Sequence, residues 1–284
     1  MKGYTSMKLF YKSIVCALIL VLLCGCQNGK ESIPLPDVTG QFAFTVMKAG
    51  QADAIIMKTQ EHSVIIDMGE ADDGDEISEF LQENSITDVD YIFITHYDKD
   101  HVGGFPEVME NVTAKNIVVP DYEGTSDEYA EFLNTVNEKN LTVTRLTEDT
   151  SFVLDDVLFE VSVPKKQFYK EGDNDYSLVI SVTHGENTFL FAGDAEKERL
   201  SEVLSEFGRQ YDFLKVPHHG KHNGNTKRFI NTVKPKYAVI TDSEKNPASN
   251  KTVSYLTTQK AEIYSTKDGD VSVISDGKKI IVNQ

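Results

Sequence analysis

Two periods of hydrophobic alternation run through this chain, and the switches between them mark its elements. Short apolar stretches at residues 42–46, 54–57 and 64–67 have strand spacing and predict three successive strands. A predicted helix over 76–83 is followed by short apolar strands at 91–95 and 117–120 and a helix around 126–138. The second half repeats the plan. Strands are predicted at 158–163, 178–183 and 188–192, then a helix at 196–207, a strand at 213–217, a helix at 226–233 and a strand at 237–241. A helix over 249–260 and strands at 262–265 and 271–274 close the pattern. Two halves that each run from hairpins into β-α units predict an α/β fold. Two mixed β-sheets pack face to face with helices outside, in four layers ordered α/β/β/α.

The N-terminus follows a different pattern. Lys2, Lys8 and Lys12 precede an apolar run from Ile14 to Leu23, too short to span a bilayer and typical of a secretory signal. Leu23-Cys24-Gly25-Cys26 resembles the bacterial lipoprotein box, in which Cys26 becomes the lipidated N-terminus. The expected organisation is a signal peptide over 1–25, a polar, proline-punctuated tether over 26–40 and one folded domain over 41–284. The expected location is the outer face of the cytoplasmic membrane of a bacterium, held by lipid. All three cysteines (Cys16, Cys24 and Cys26) lie in or next to this leader, so the domain has no disulfide framework and no cysteine-ligated zinc.

Charge narrows the partners. The formal net charge of −17 becomes about −20 once residues 1–25, with three lysines and no acids, are removed. Nonspecific nucleic-acid binding depends on Lys and Arg displacing counterions, so tight nonspecific DNA binding is not expected. With 284 residues the domain can bury a full core without staples, which makes any metal a catalytic one.

Chemistry concentrates at three strand ends. Thr95-His96-Tyr97-Asp98-Lys99-Asp100-His101-Val102-Gly103-Gly104 follows a short apolar strand and puts four ligand-type side chains within six residues. Such a cluster can reach two cations that share a bridging hydroxide, the nucleophile of two-metal hydrolases. Phe189-Leu190-Phe191-Ala192-Gly193-Asp194 ends a second apolar strand on a carboxylate, and Phe213-Leu214-Lys215-Val216-Pro217 ends a third on His218-His219-Gly220. Lys221 and His222, just beyond that turn, are candidate catalytic groups. His62 and His184 fall in hairpin turns and are expected to be exposed. The acidic run from Glu70 to Glu76 lacks the spacing of a Ca²⁺ loop and reads as a solvated helix start.

These motifs resemble the metallo-β-lactamase superfamily, and more narrowly the extracellular hydrolase domain of ComEC-type competence proteins. The resemblance runs from about Phe42 to Ile281. Gly50, Gln51 and Asp53 resemble that branch's Gly-Gln-Gly-Asp-Ala loop, and Asn174-Asp175-Tyr176-Ser177-Leu178 its Asn-x-x-Ser-Leu strand, where other branches place a metal-binding histidine. It implies that His96 and Asp98 serve one metal, that Asp100 and His101 serve the other, and that Asp194 bridges both. His218 or His219 completes the second set, with His218 preferred because it is nearest the strand end. Asp98 stands where most of the superfamily has histidine, which leaves Mn²⁺ and Zn²⁺ both open.

Two departures matter. The second loop glycine is Ala52, and Asn246-Pro247-Ala248-Ser249 lacks the histidine that ComEC-like chains often carry there, which turns attention to Lys221 and His222. The expected function is an extracytoplasmic metal-dependent hydrolase, a phosphodiesterase or nuclease-like enzyme acting on nucleic acid, nucleotides or cell-wall phosphoesters. The alternatives are a catalytically reduced metal- or ligand-binding surface lipoprotein, and an accessory factor in DNA uptake.

Overall fold

The computed structural model of the chain describes residues 40–284 except residue 171, so the signal peptide, Cys26 and the tether up to residue 39 lie outside the described residues. Strands β1 (Phe42–Val46), β2 (Ala54–Lys58) and β3 (Ser63–Met68) form a meander, and α1 (Gly74–Glu83) crosses to β4 (Asp88–Phe93). Two short helices, α2 (Lys99–Val102) and α3 (Phe105–Asn111), lead to β5 (Thr113–Pro120), α4 (Asp127–Glu138) and β6 (Val143–Leu146). The second half opens with β7 (Thr150–Leu154), β8 (Val157–Ser162), β9 (Val179–His184) and β10 (Asn187–Phe191). Then come α5 (Lys197–Glu206), β11 (Phe213–Lys215), α6 (Thr226–Val233), β12 (Tyr237–Ile240), α7 (Asn250–Thr258), β13 (Glu262–Ser265), β14 (Val271–Ser275) and β15 (Ile280–Asn283).

These strands make two mixed sheets, ordered β15-β14-β1-β2-β3-β4-β5-β6 and β13-β12-β11-β10-β9-β8-β7. Strands β3 to β6 are parallel, as are β10 to β13, while the remaining pairs are antiparallel. Three hydrophobic clusters separate four layers. One packs α1, α3 and α4 on the first sheet, one fills the gap between the sheets, and one packs α5, α6 and α7 on the second. Strand alternation sends Phe42 and Phe44 into the middle layer, where Phe44 meets Phe189, Phe191 and Phe213 edge-on with centroids 4.9–5.6 Å apart. Burial of each such ring contributes about 1.5–3 kcal/mol. The expected four-layer α/β/β/α architecture is the one observed.

The differences lie at the edges. Strands β6, β7 and β15 were not expected, and all three are edge or near-edge strands whose residues are largely half-buried or exposed. A polar edge strand has no clean alternation to read. Helices α2 and α3 are also additional; α2 carries Asp100 and His101 of the ligand-rich run, and α3 follows it. His184 is buried rather than exposed, its Nδ1 2.8 Å from Ser275 Oγ.

Candidate metal centre

The parallel strands of both sheets direct their C-terminal ends to one edge of the sandwich, where α/β folds collect ligands. The first sheet supplies Asp67 from β3 and residues 95–101 after β4. The second supplies Asp194 after β10, His218 and His219 after β11, and Thr241 after β12. Sharp main-chain geometry turns these side chains inward. His218 and His219 are both left-handed, at φ 50 and 51, and Asp67 is at φ 58. Such conformations cost about 1–3 kcal/mol each in non-glycine residues and gather at functional sites. Gly193, at φ 49, could not be replaced cheaply, because a Cβ there would lie 3.0 Å from the Ser177 side chain.

Ligand atoms of Asp100, His101, Asp194 and His219 all lie within 4.8 Å of one another. Asp194 Oδ1 is 3.3 Å from His101 Nε2, and its Oδ2 is 3.0 Å from His219 Nε2. Asp100 Oδ2 is 3.2 Å from the same His219 Nε2. Beside this cluster, His96 Nε2 faces Asp98 Oδ2 at 3.6 Å. None of the three Nε2 atoms, nor Asp194 Oδ1, has an aligned hydrogen-bond partner among the described residues. Buried polar atoms left unpaired are costly. Imidazole nitrogens and carboxylate oxygens turned toward a common point are the donor set that a divalent cation takes, so these residues fit one.

Behind the cluster, the far nitrogen of each imidazole is held. Asp67 accepts from His101 Nδ1 at 2.7 Å and from both the main-chain N–H and the hydroxyl of Thr95, each at 2.7 Å. His219 Nδ1 lies 3.0 Å from Thr241 O and from Thr241 Oγ1, while that hydroxyl donates to Asp53 Oδ1 at 2.7 Å. A proton fixed on Nδ1 leaves Nε2 as the ligand atom. His96 Nδ1 lies 3.1 Å from Thr95 Oγ1 and 3.5 Å from Ser177 Oγ. Lys215 is fully buried against Asp53, with Nζ 3.2 Å from Gly193 O and 3.6 Å from Asp194 Oδ1.

The electrostatics follow from this crowding. Burial disfavours charge on His101, but the carboxylates of Asp194 and Asp67 outweigh it and push its pKa well above the ordinary value. His219 is raised to about 9, with burial opposing and Asp194 and Asp100 prevailing. Burial would raise Asp194, yet His219 and His101 bring it well below the usual carboxylate range. Asp100 is likewise lowered against its burial by the neighbouring His219 and the charge of His101. Lys215 is raised, since Asp53 and Asp194 overcome its burial.

Not every sequence candidate joins the cluster. His219, rather than the preferred His218, closes the four-residue set. His218 instead pairs through Nδ1 with Glu196 at 2.7 Å, its Nε2 lying 3.8 Å from Asp194 Oδ2 and 3.0 Å from Lys221 Nζ. The tight turn at Pro217–Gly220 sends consecutive side chains in different directions, which proximity to the strand end did not reveal. Lys221 lines a cleft of about 970 Å³ over the cluster, together with Asp98, Asp100, Asn174, Asp194 and His218. His222 is exposed, its ring 5.9 Å from that of Tyr255, and it is absent from the cleft lining among the described residues. Asp67, Thr241 and Lys215 had no role assigned from sequence; the signal available for Lys215 is a charge within an apolar strand.

The sequence matches the model of the metallo-β-lactamase superfamily over residues 47–241. Among curated proteins, it is 27% identical over 168 residues to ComE operon protein 3 of Bacillus subtilis, covering 59% of this chain and 22% of that protein. It is 23% identical over 237 residues to Recombination protein 2 of Haemophilus influenzae (82% of this chain, 28% of that one) and 25% identical over 236 residues to Competence protein ComA of Neisseria gonorrhoeae (80% and 30%). These are ComEC-related competence proteins, and the chain spans less than a third of their length. In fold it is similar to the metallo-β-lactamase fold protein YhfI from Bacillus subtilis, with TM-score 0.55 and 12% identity over 80% of this chain and 98% of that one. A metal-dependent hydrolase of the β-lactamase superfamily, Tm1679, gives TM-score 0.52 and 12% identity over 81% and 98%. The strand-end ligands, the four layers and the family match agree: this chain belongs to the metallo-β-lactamase superfamily.

Proposed function

We propose that this chain is a metal-dependent phosphodiesterase acting on phosphoesters outside the cytoplasmic membrane, held there by lipid on Cys26. The observation that carries the hydrolytic reading is the convergence of unpaired His96, His101 and His219 Nε2 atoms and Asp194 Oδ1 beneath an open cleft. Two divalent cations, Zn²⁺ or Mn²⁺, are held in this reading. Asp100, His101 and His219 would hold one, His96 and Asp98 would hold the other, and Asp194 would serve both. Such cations, when bound, activate water and neutralise charge on a phosphoryl group.

The remaining work falls to the chain itself. Asp100, with a fifth of its side chain exposed, accepts a hydrogen bond from the attacking water and so orients it toward phosphorus. As the water oxygen bonds to phosphorus it releases a proton to the solvent of the open cleft, the bond to the leaving oxygen breaks, and the leaving oxygen takes up a proton from that solvent. Lys221 and Asn174, both on the cleft wall, donate hydrogen bonds to phosphoryl or departing oxygens. The cleft also carries Glu70, Asp72, Asp73, Glu128 and Glu244 against Lys99, Lys221 and Lys245. That excess of acid favours a nucleotide or a wall phosphoester over long duplex DNA. The relatives' names in competence and recombination support a nucleotide-type substrate.

The test is elemental analysis of the leaderless protein together with turnover of bis-p-nitrophenyl phosphate in added Zn²⁺ or Mn²⁺. The expected result is about two cations per chain, with turnover lowered at least about a hundredfold, or about 2.7 kcal/mol, in Asp100→Ala. His222→Ala should stay within about twofold of wild type, since surface substitutions away from special features change little. Cation without turnover would move the reading to a metal- or ligand-binding lipoprotein, and absence of cation under every loading condition would sink it.

A further inference from the structure

An ammonium group stands where the strand pattern calls for an apolar side chain. Lys215 is the last residue of β11, in register with Phe191 on β10 and Val239 on β12. Its side chain lies on the same strand face as Phe213, which packs in the layer between the sheets. It is fully buried and makes three contacts: the Asp53 carboxylate, Gly193 O at 3.2 Å and Asp194 Oδ1 at 3.6 Å. A buried charge persists only where partners compensate for its lost hydration.

Those partners belong to both sheets and to the ligand cluster. Asp53 comes from the loop between β1 and β2, where its N–H donates to Asp100 O at 3.0 Å and its carbonyl accepts from Gly69 N at 2.8 Å. Its carboxylate stands behind both cluster imidazoles, 3.6 Å from His219 Nδ1 and 3.9 Å from His101 Nδ1. Lys215 therefore ties the carboxylate behind the imidazoles to the carboxylate in front of them. Charge accounting points the same way. Five carboxylates, those of Asp53, Asp67, Asp98, Asp100 and Asp194, surround the cluster, and Lys215 is the one ammonium buried among them among the described residues.

We propose that Lys215 is a positioning residue of the metal centre. Its ammonium clamps Asp194 to Asp53 across the gap between the sheets, so that Asp194 already faces His101 and His219 before any cation arrives. It also supplies a permanent positive charge among these carboxylates. The idea rests on the metal-centre reading above.

The test compares wild type with Lys215→Gln and with the double variant Lys215→Gln/Asp53→Asn, which removes both charges and keeps hydrogen-bonding amides. Binding of Mn²⁺ alone and Co²⁺ alone is measured by titration calorimetry, and the Co²⁺ visible bands report the ligand geometry. The double variant should melt cooperatively, bind the tighter cation about tenfold to a hundredfold more weakly, and show shifted Co²⁺ bands. A pair that serves only the core would lower the melting temperature and leave affinity and bands unchanged, and that result overturns the proposal. Loss of folding in both variants also overturns it, by making the pair a requirement of the fold. Wild type that binds no cation defeats the metal reading itself, a different outcome from wild type that binds while the variants match it.

Discussion

The two sides of the ligand cluster are built to different standards. On one side, His101 and His219 are fully buried, and each far nitrogen is fixed, by Asp67 and by Thr241. On the other, His96 is buried but faces Asp98, whose side chain is 41% exposed, across 3.6 Å. Ser177 Oγ stands 3.5 Å from His96 Nδ1 and accepts from Asp194 N at 3.1 Å. The first side is pre-organised, whereas the second keeps water within reach and leaves room for substrate. The proposed pair of cations should therefore bind unequally, one tightly and one several decades more weakly.

The substitution with the largest effect removes the carboxylate that the proposed function shares between the two sides. Asp194→Ala deletes the carboxylate that approaches His101, His219 and His218. Both cations should be lost and kcat/KM should fall at least about a thousandfold, or about 4 kcal/mol. Metal analysis with steady-state kinetics checks this. Retention of one cation at wild-type affinity would show that the two sides do not depend on a common ligand.

Protonation offers the next largest effect, and it acts on the closed side. The pKa of His219 is raised from 6.5 to about 9, so its charged form contributes to the stability of the metal-free fold. That contribution is complete below pH 6.5 and is lost as pH rises through about 9. A cation must displace the same proton, so its affinity should climb about tenfold per pH unit over this window. Melting temperature of the metal-free protein should fall between pH 6.5 and 9 while calorimetric affinity rises. Parallel slopes would break the assignment of His219 to the tight side.

The sequence made both of these sides far more legible than the supports behind them. His96, Asp98, Asp100 and His101 fall within six residues, and Asp194 and the histidine pair each follow an apolar strand, so pattern and chemistry coincide there. Asp67 is a lone acid in the apolar strand β3, and only folding shows that it receives His101 from a segment more than thirty positions away. Thr241 is a common residue type whose role depends on the register between β11 and β12. Lys215 left a visible mark, a charge in an apolar run, but nothing local names Asp53 as its partner. The choice between His218 and His219 turned on two left-handed residues, a geometry that residue type alone does not specify. The four layers were readable because interior strands carry dense apolar runs, while edge strands such as β6 carry none.

Asp67 tests whether that unseen support matters. Asp67→Asn keeps the size of the side chain and removes the charge that holds His101 Nδ1. The tight cation should weaken about tenfold to a hundredfold, as expected for a second layer of contacts, with the weak cation nearly unaffected. Equal weakening of both would mean that the closed side is not a unit of its own.

The smallest effect belongs to the open side and sharpens the contrast most. Asp98 is lowered in pKa against its burial by the neighbouring His96, yet its carboxylate remains substantially exposed. Water screens an exposed charge, so Asp98→Asn should cost the weak cation about 0.5–1 kcal/mol, a two- to fivefold loss of affinity. The tight cation should bind as before, because the Asp98 carboxylate pairs with His96 and with no side chain of the four-residue set among the described contacts. Calorimetry resolves the two steps if they differ as argued. A loss at the weak step as large as that of Asp67→Asn at the tight step would mean that bound metal draws Asp98 out of solvent, and the open side would then be pre-organised only in the loaded protein.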